Sequence, residues 1–200
     1  MTALDLFPTL DEQAERNIAG VRYWVASAGG MHFDGDAYSW AVFSACRKYR
    51  YLLGRQWNPD GPCARWVMLN PSVAGATGDD PTSRKVRGFS DRRAGSYVIA
   101  NLGALVSTDP RGLVAHPDPI GPHNDAALDL VLGSAVGPIV AAWGRLPSKK
   151  IERRFISSIL RVKCARPWCY GTTADGQPRH PLMLAYSTPL VSLANGRAFP

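Results

Sequence analysis

Short apolar runs alternate with segments of helical periodicity through most of the chain. Asp80-Pro81 is typical of a helix start, because Asp caps the first turn and Pro lacks the N–H that would be left unpaired, and Gly95 is typical of its end. We predict buried strands at 65–69, 97–101, 138–143 and 166–170, with helices between them at 81–94, 123–133 and 148–162. This alternation predicts a three-layer α/β/α fold around a central, mostly parallel sheet of four strands.

The residues before this alternation predict an added helix and hairpin. Thr9 and Glu12 have capping-box spacing, and an apolar stripe predicts a helix over about 10–27 that ends at Gly29-Gly30. The short apolar runs 39–43 and 49–53 predict an antiparallel hairpin.

Length and composition predict one main domain. With 200 residues, of which 46% are hydrophobic, the chain can bury one sizeable core. We divide it into an N-terminal extension, 1–45, and a main domain, 46–200. No apolar run approaches the roughly twenty residues needed to cross a bilayer, and residues 1–9 lack the basic and apolar regions of a leader peptide. We therefore expect a monomer in the cytoplasm, away from membranes.

Cysteine usage predicts neither a metal centre nor disulfides. Cys46, Cys63, Cys164 and Cys169 would permit two disulfides or a four-thiolate site, but no C-x2-C spacing is present. Scattered thiols in a reducing compartment are the simpler interpretation. The sequence also contains neither a P-loop nor a G-x-G-x-x-G fingerprint. We expect no cofactor.

Charge is unevenly distributed. The net charge is +7, from 23 Lys and Arg against 16 Asp and Glu, yet residues 1–46 are acidic. Basic residues concentrate at 84–93 and 145–166. A single basic run is often only a solvated helix face, but two favour a surface that binds the phosphates of nucleic acid. The basic residues predicted to contact DNA are Arg84, Lys85, Lys149, Lys150, Arg153 and Arg179.

Each predicted strand is followed by a polar or turn-forming group. These groups are Asn70-Pro71-Ser72, Asn101-Leu102, Trp143-Gly144 and His180-Pro181-Leu182. In a parallel sheet these points converge on one edge, where ligands of such folds bind. Asn is also common in turns because it bonds its own backbone, and His180 alone could be an ordinary loop residue. The joint occurrence predicts a site.

The motifs carry two resemblances. An uncharacterised family of bacterial and phage proteins is resembled by six segments within a match of about 44–191: 49–52, 68–74, 79–82, 101–102, 142–144 and 175–182. The order of L-N-P-S, Asn, Trp-Gly and His-Pro after successive strands is similar to that of the uracil-DNA glycosylase superfamily. The second resemblance implies an enzyme that removes bases from DNA.

That resemblance implies a role for each matching residue. Asn70 corresponds to the residue that holds the attacking water, Asn101 to the one that reads the base edge, and His180 to the one that stabilises the departing base. Because an amide is less polar than the carboxylate of other branches, Asn70 implies slower chemistry. We assign five further motif residues to substrate binding: Pro71, Ser72, Trp143, Asp79 and Asp80. For the two aspartates, the alternative is that they cap the helix predicted to begin at residue 81.

The chain departs from the superfamily pattern after His-Pro. The usual Ser that contacts a phosphate is absent, and Leu182 and Met183 stand there instead. Leu182 or Met183 would fill the space that an extruded base leaves, although core packing explains both residues equally well. We assign Leu182 to DNA binding. Asp79 and Asp80 have no counterpart in the superfamily.

The sequence therefore predicts a DNA glycosylase acting on uracil, a damaged base or a modified base, without a cofactor. One alternative is a glycosidase or binding protein for a free nucleoside or nucleotide, with basic residues scattered around the molecule. Another is a nucleic-acid-binding module without catalysis. A third, a hydrolase using Ser72, His180 and Asp79 or Asp175, lacks the G-x-S-x-G elbow.

Overall fold

The computed structural model describes residues 8–109, 111–133 and 137–199. The prediction that residues 1–9 contain no leader peptide therefore falls mostly outside the described residues. The helices are α1 (Leu10–Ala28), α2 (Pro81–Ser90), α3 (Gly112–Ala115), α4 (Asn124–Gly133), α5 (Lys149–Arg154) and α6 (Ile156–Cys164). The strands are β1 (Met31–Gly35), β2 (Ser39–Ser44), β3 (Arg50–Gln56), β4 (Cys63–Met68), β5 (Ser96–Asn101), β6 (Ile139–Ala141), β7 (Trp168–Cys169) and β8 (Val191–Ser192).

The predicted fold class is wrong, because the strands form one eight-stranded mixed sheet and not a central parallel sheet of four. Its order is β1-β2-β3-β5-β4-β6-β7-β8. Among the described residues, four of the seven strand pairings are antiparallel. The pairings of β4 with β5, β4 with β6 and β6 with β7 are parallel.

The difference lies in β3, which pairs with β2 as the predicted hairpin requires and also joins the main sheet. β3 extends to Gln56, all seven of its residues are buried, and it pairs antiparallel with β5 through Leu53–Ile99. Gly54 lets the strand continue, because a Cβ there would lie 2.1 Å from the Trp40 ring of β2. The hairpin strands therefore extend the main sheet, with β1 beside β2. At the other edge, β8 adds a further antiparallel strand.

The helix starts follow from local capping. The capping box of α1 is confirmed, since the Thr9 and Glu12 side chains each accept the other residue's backbone N–H. The cap of α2 is also confirmed: Asp80 Oδ1 accepts the Ser83 N–H at 2.7 Å. The single helix predicted at 148–162 is instead two, because the backbone departs from helical geometry at the fully buried Phe155.

Helices cover both faces of the sheet, because successive side chains of a strand point to opposite faces. Val67 packs in a core with residues of α1, α4, α5 and α6. Its neighbour Trp66 packs in a second core with Val86 and Phe89 of α2. No helix among the described residues is long and apolar enough to span a membrane.

The four cysteines are all free, with Cys46 and Cys164 exposed and Cys169 buried. Across residues 8–109, 111–133 and 137–199, no group of three His, Cys, Asp or Glu side chains is placed to hold a metal ion.

Candidate functional site

A pocket of about 380 Å³ opens at the carboxyl ends of the parallel strands β4, β5 and β6. The four sequence motifs meet there, as the convergence of strand ends predicts. Six residues assigned to the site from the sequence, together with Leu182, line this pocket: Asn70, Ser72, Asp80, Asn101, Trp143 and His180.

Asn70 is held by its amide nitrogen. Its Nδ2 donates to the carbonyl of Pro71 at 3.0 Å and to that of Ser107 at 2.8 Å. Ser107 also donates its backbone N–H to Pro71, so the loops after β4 and β5 are joined at this point. Since both amide hydrogens are used, Oδ1 is the atom of this side chain that remains to accept a hydrogen bond in the pocket.

Asn101 is the last residue of β5 and is 1% exposed. Neither its Oδ1 nor its Nδ2 has a hydrogen-bond partner in the described structure. An unpaired buried amide costs free energy, on the order of 1–3 kcal/mol. Because Asn101 lines the pocket, a ligand that offers one donor and one acceptor would remove this cost.

Trp143 and Gly144 position the histidine loop. Trp143 is buried, and its Nε1 donates to Gln177 Oε1 at 2.8 Å. The Gly144 N–H donates to the Pro178 carbonyl at 2.9 Å. Gly144 has a φ of +71°, and a Cβ there would lie 3.1 Å from the His180 Cβ. A glycine after Trp143 therefore allows His180 to reach the pocket.

The local structure sets the protonation of His180. Its Nδ1 accepts the Leu182 N–H at 3.3 Å, at the start of the 3-10 turn Pro181–Met183. The neutral ring therefore carries its proton on Nε2. Burial lowers the pKa of His180 below its usual 6.5, and the nearby carboxylate of Asp80 opposes that effect. At neutral pH, His180 is a neutral hydrogen-bond donor.

Two residues assigned to substrate binding lie outside the pocket lining. Pro71 is buried beside Asn70, where its carbonyl accepts the Asn70 amide. Asp79 forms an ion pair with Arg55 at 2.9 Å and accepts the Ser83 hydroxyl at 3.0 Å. Asp80 instead lines the pocket while it caps α2, so the helix cap is confirmed and its assignment to substrate binding stays a prediction.

Among the described residues, Leu182 lines the pocket, whereas none of the basic residues predicted to contact DNA does. Lys149 borders an adjoining groove of about 530 Å³, which shares Arg145 with the pocket. Lys85 lies 4.1 Å from the Tyr186 ring, and Arg84 donates to the Asp79 carbonyl, both on the helix that begins at the pocket. Three further residues are surface residues that line neither cavity: Lys150, Arg153 and Arg179.

Sequence reasoning missed two pocket residues with charged side chains, Arg50 and Arg145. Arg50 stands at the start of β3 and is only 4% exposed. A charged residue within the otherwise apolar run 49–53 was the available signal, because a buried charge requires a partner or a ligand.

The arrangement required for a Ser-His-Asp hydrolase is not formed by the described residues. His180 Nδ1 accepts a backbone N–H and no carboxylate orients it. Asp79 is paired with Arg55, and Asp175 accepts the Thr173 hydroxyl. Ser72 and His180 therefore lack the aspartate that would orient the imidazole in such a hydrolase.

The fold and pocket define a class of α/β protein with a polar ligand site at the carboxyl ends of three parallel strands. A family model described as "Protein of unknown function (DUF1643)" matches residues 50–182. The chain belongs to this family, which confirms the predicted membership of a family without assigned function. Neither the curated proteins nor the solved structures contain a significant match. The link to the uracil-DNA glycosylase superfamily stays a prediction.

Proposed function

We propose that the protein is a DNA glycosylase, which cleaves the bond between a base and its deoxyribose. The observation that carries this proposal is the buried, unpaired amide of Asn101 in the same pocket as Asn70 and His180. The Asn101 amide offers one donor and one acceptor to the edge of a base. Asn70 supplies an acceptor through Oδ1, and His180 supplies a neutral donor through Nε2. These are the groups that hydrolysis of an N-glycosidic bond requires.

Bond cleavage leaves positive charge on the sugar and negative charge on the base. The donor that His180 presents at Nε2 is suited to a base oxygen on which that negative charge develops. A neutral imidazole does this without transferring a proton, because its lowered pKa keeps it from protonating at neutral pH.

Asn70 orients the attacking water. Its Oδ1 accepts one water hydrogen, since its amide nitrogen is already fixed by two backbone carbonyls. The water oxygen forms the new bond to the sugar C1′ as the bond to the base nitrogen breaks. An amide is not a base, so the released water proton finally joins the departing base anion.

The substrate base must leave the helix, because the pocket lies at the end of buried strands. Met183 is 89% exposed and Leu182 is 40% exposed, immediately after His180. Exposed apolar side chains beside the pocket are suited to fill the space that the base vacates. Leu182, which also lines the pocket, then contacts both the DNA and the extruded base.

The test incubates the protein with DNA from several sources, then heats the DNA in alkali to break strands at abasic sites. We expect breaks with the wild type. We expect Asn70→Ala and His180→Ala each to lower the rate by about 10²–10³-fold, the usual effect of removing one preorganised transition-state contact. Base release measured by chromatography identifies the excised base.

The matched controls are Asn195→Ala and His32→Ala, which remove an exposed asparagine and an exposed histidine that do not line the pocket. Both should retain wild-type rates. No breaks in any DNA, or breaks that persist in Asn70→Ala and His180→Ala, would contradict the proposal.

A second candidate is a glycosidase for free nucleosides. The observation in its favour is the mixed charge of the adjoining groove, where three cationic side chains lie among Asp109, Glu152 and Asp175. Such a groove is less attractive to a polyanion than a uniformly basic one. Release of free base from nucleosides, without breaks in DNA, would select this candidate.

A further inference from the structure

Arg50 is a buried cation in the pocket with unused hydrogen-bonding capacity. Its side chain is 4% exposed and lines the pocket, and Nη1 donates to the Ala74 carbonyl. Its Nε has no partner in the described structure. Burial lowers the pKa of Arg50 to about 10, so the guanidinium stays charged at neutral pH.

Asp80 is the carboxylate whose charge acts on Arg50. It is 8% exposed and lines the same pocket, and its carboxylate opposes the effect of burial by raising the pKa of Arg50. Among the described residues, the one hydrogen bond to its carboxylate is the Ser83 N–H to Oδ1. The described structure contains no salt bridge between Arg50 and Asp80. Arg50 and Asp80 therefore line the same pocket as a donor and an acceptor that form no salt bridge with each other in the described structure.

We propose that Arg50 and Asp80 select a pyrimidine that carries a hydroxyl group on a short substituent, next to the edge that Asn101 binds. The hydroxyl oxygen accepts from Arg50, and the hydroxyl hydrogen is donated to Asp80. This inference rests on the proposed function and names the substrate class of the same pocket.

Other substituents satisfy this pair less well. A hydrogen or methyl group would exclude water from both charges and give neither a partner, which is costly for buried ionised groups. A carboxylate would suit Arg50 but would face the negative charge of Asp80. A hydroxyl donates and accepts at once, and so it satisfies both side chains.

The pocket has room for such a substituent. Its volume of about 380 Å³ lies within the range of roughly 300–1,000 Å³ typical of pockets that hold drug-sized ligands. The apolar side chains of Leu53, Met68 and Ile99 complete the lining. They suit the flat faces of a base and leave polar recognition to the groups at its edge.

The test measures binding of four free bases by titration calorimetry: uracil, thymine, 5-hydroxymethyluracil and 5-carboxyuracil. We expect the wild type to bind 5-hydroxymethyluracil at least about tenfold more tightly than thymine, because a hydrogen bond to a charged group has that effect or more. In Arg50→Met this preference should fall to about twofold or less, whereas the surface variant Arg92→Met should keep it.

Asp80→Asn provides a second variant that keeps the fold, because Asn caps helices as well as Asp does. It removes the negative charge, so affinity for 5-carboxyuracil should rise several-fold. Affinity for uracil should change little. If Arg50→Met weakens all four bases equally, Arg50 only supports the loop through Ala74 and the proposal is overturned.

Oligonucleotides that contain the same four bases separate the two proposals. Release of all four bases at equal rates by wild type and Arg50→Met would support the glycosylase and overturn the selection by Arg50 and Asp80. Absence of any base release, with Arg50-dependent binding of free 5-hydroxymethyluracil, would contradict the glycosylase and support the selection.

Discussion

Two neighbouring regions of the molecule treat buried polar groups in opposite ways. In the first, Arg55 donates to the Asp79 carboxylate and to the carbonyls of Gly75 and Gly78, and Asp79 also accepts from Ser83. We call Arg55, Asp79 and Ser83 the paired cluster. In the pocket, both amide atoms of Asn101 and the Nε of Arg50 have no partner within the described structure. The paired cluster fixes the loop after β4, whereas hydrogen-bonding groups in the pocket remain without a partner in the described structure.

The largest expected effect comes from breaking the paired cluster. Arg55→Met removes the cation that pairs with Asp79 and a donor to the Gly75 and Gly78 carbonyls, and the Arg55 side chain is only 10% exposed. We expect the free energy of unfolding to fall by about 3 kcal/mol, the lower end for a broken buried pair, because Asp79 remains partly solvated. Urea denaturation followed by circular dichroism measures this change.

Lys149→Met is the control, because it removes a cation from an ion pair whose lysine side chain is 87% exposed. Exposed pairs contribute about 0–1 kcal/mol. If Arg55→Met were no more destabilising than Lys149→Met, the paired cluster would not be what holds the loop.

A smaller effect separates two buried asparagines. Asn124 donates its amide to the carbonyls of Asn101 and Leu102, whereas the Asn101 side chain has no partner. Asn124→Leu should lower the free energy of unfolding by about 1 kcal/mol, since its own Oδ1 is already unpaired and only the donor bonds are lost. Asn101→Leu should leave it unchanged or raise it, because an unpaired polar group is removed.

The variant that is less damaging to stability, Asn101→Leu, should be the more damaging one to ligand affinity. Asn101→Leu should abolish measurable affinity for a free pyrimidine, and Asn124→Leu should retain most of it. Calorimetric titration of both variants at a temperature where each is folded makes the comparison. Equal stability losses for the two would show that Asn101 is a structural residue and would remove the main support for the proposed function.

The four pocket motifs could be predicted from the sequence because each depends on local pattern. Asn70, Asn101 and Trp143 stand where an apolar run stops, and such a run marks the end of a strand without knowledge of its neighbours. His180 follows a turn-rich segment and reaches the same edge. The capping of α2 by Asp80 was likewise local and confirmed.

The sheet could not be predicted because its order depends on pairings distant in sequence. β3 joins β5, with some forty residues between them in the chain, and β8 has only two residues and no alternating pattern. Arg50 was missed for a similar reason: its backbone N–H donates to Ala104 and its side chain to Ala74, and both partners are distant in sequence. The basic runs were visible in the sequence, but their positions relative to the pocket were not.

The smallest expected effect concerns pH and tests whether His180 acts as a neutral donor. Burial holds its pKa below 6.5, so the neutral form persists below the pH at which a free histidine protonates. The rate of base release should therefore stay constant as pH falls from neutrality through about 6.5 and should decline only in more acidic buffer. A rate that rises on acidification through that range would indicate an imidazolium instead.

The lowered pKa of His180 also makes the free energy of unfolding depend on pH, independently of the rate of base release. Because the pKa of His180 is lower in the folded protein than in the unfolded chain, the unfolded chain binds more protons as pH falls below about 6.5. Stability is thus complete above that pH and is lost as pH falls through the folded value. His180→Gln keeps an amide donor and does not titrate, so its rate should be lower than that of the wild type but should lack the acidic decline while the protein remains folded.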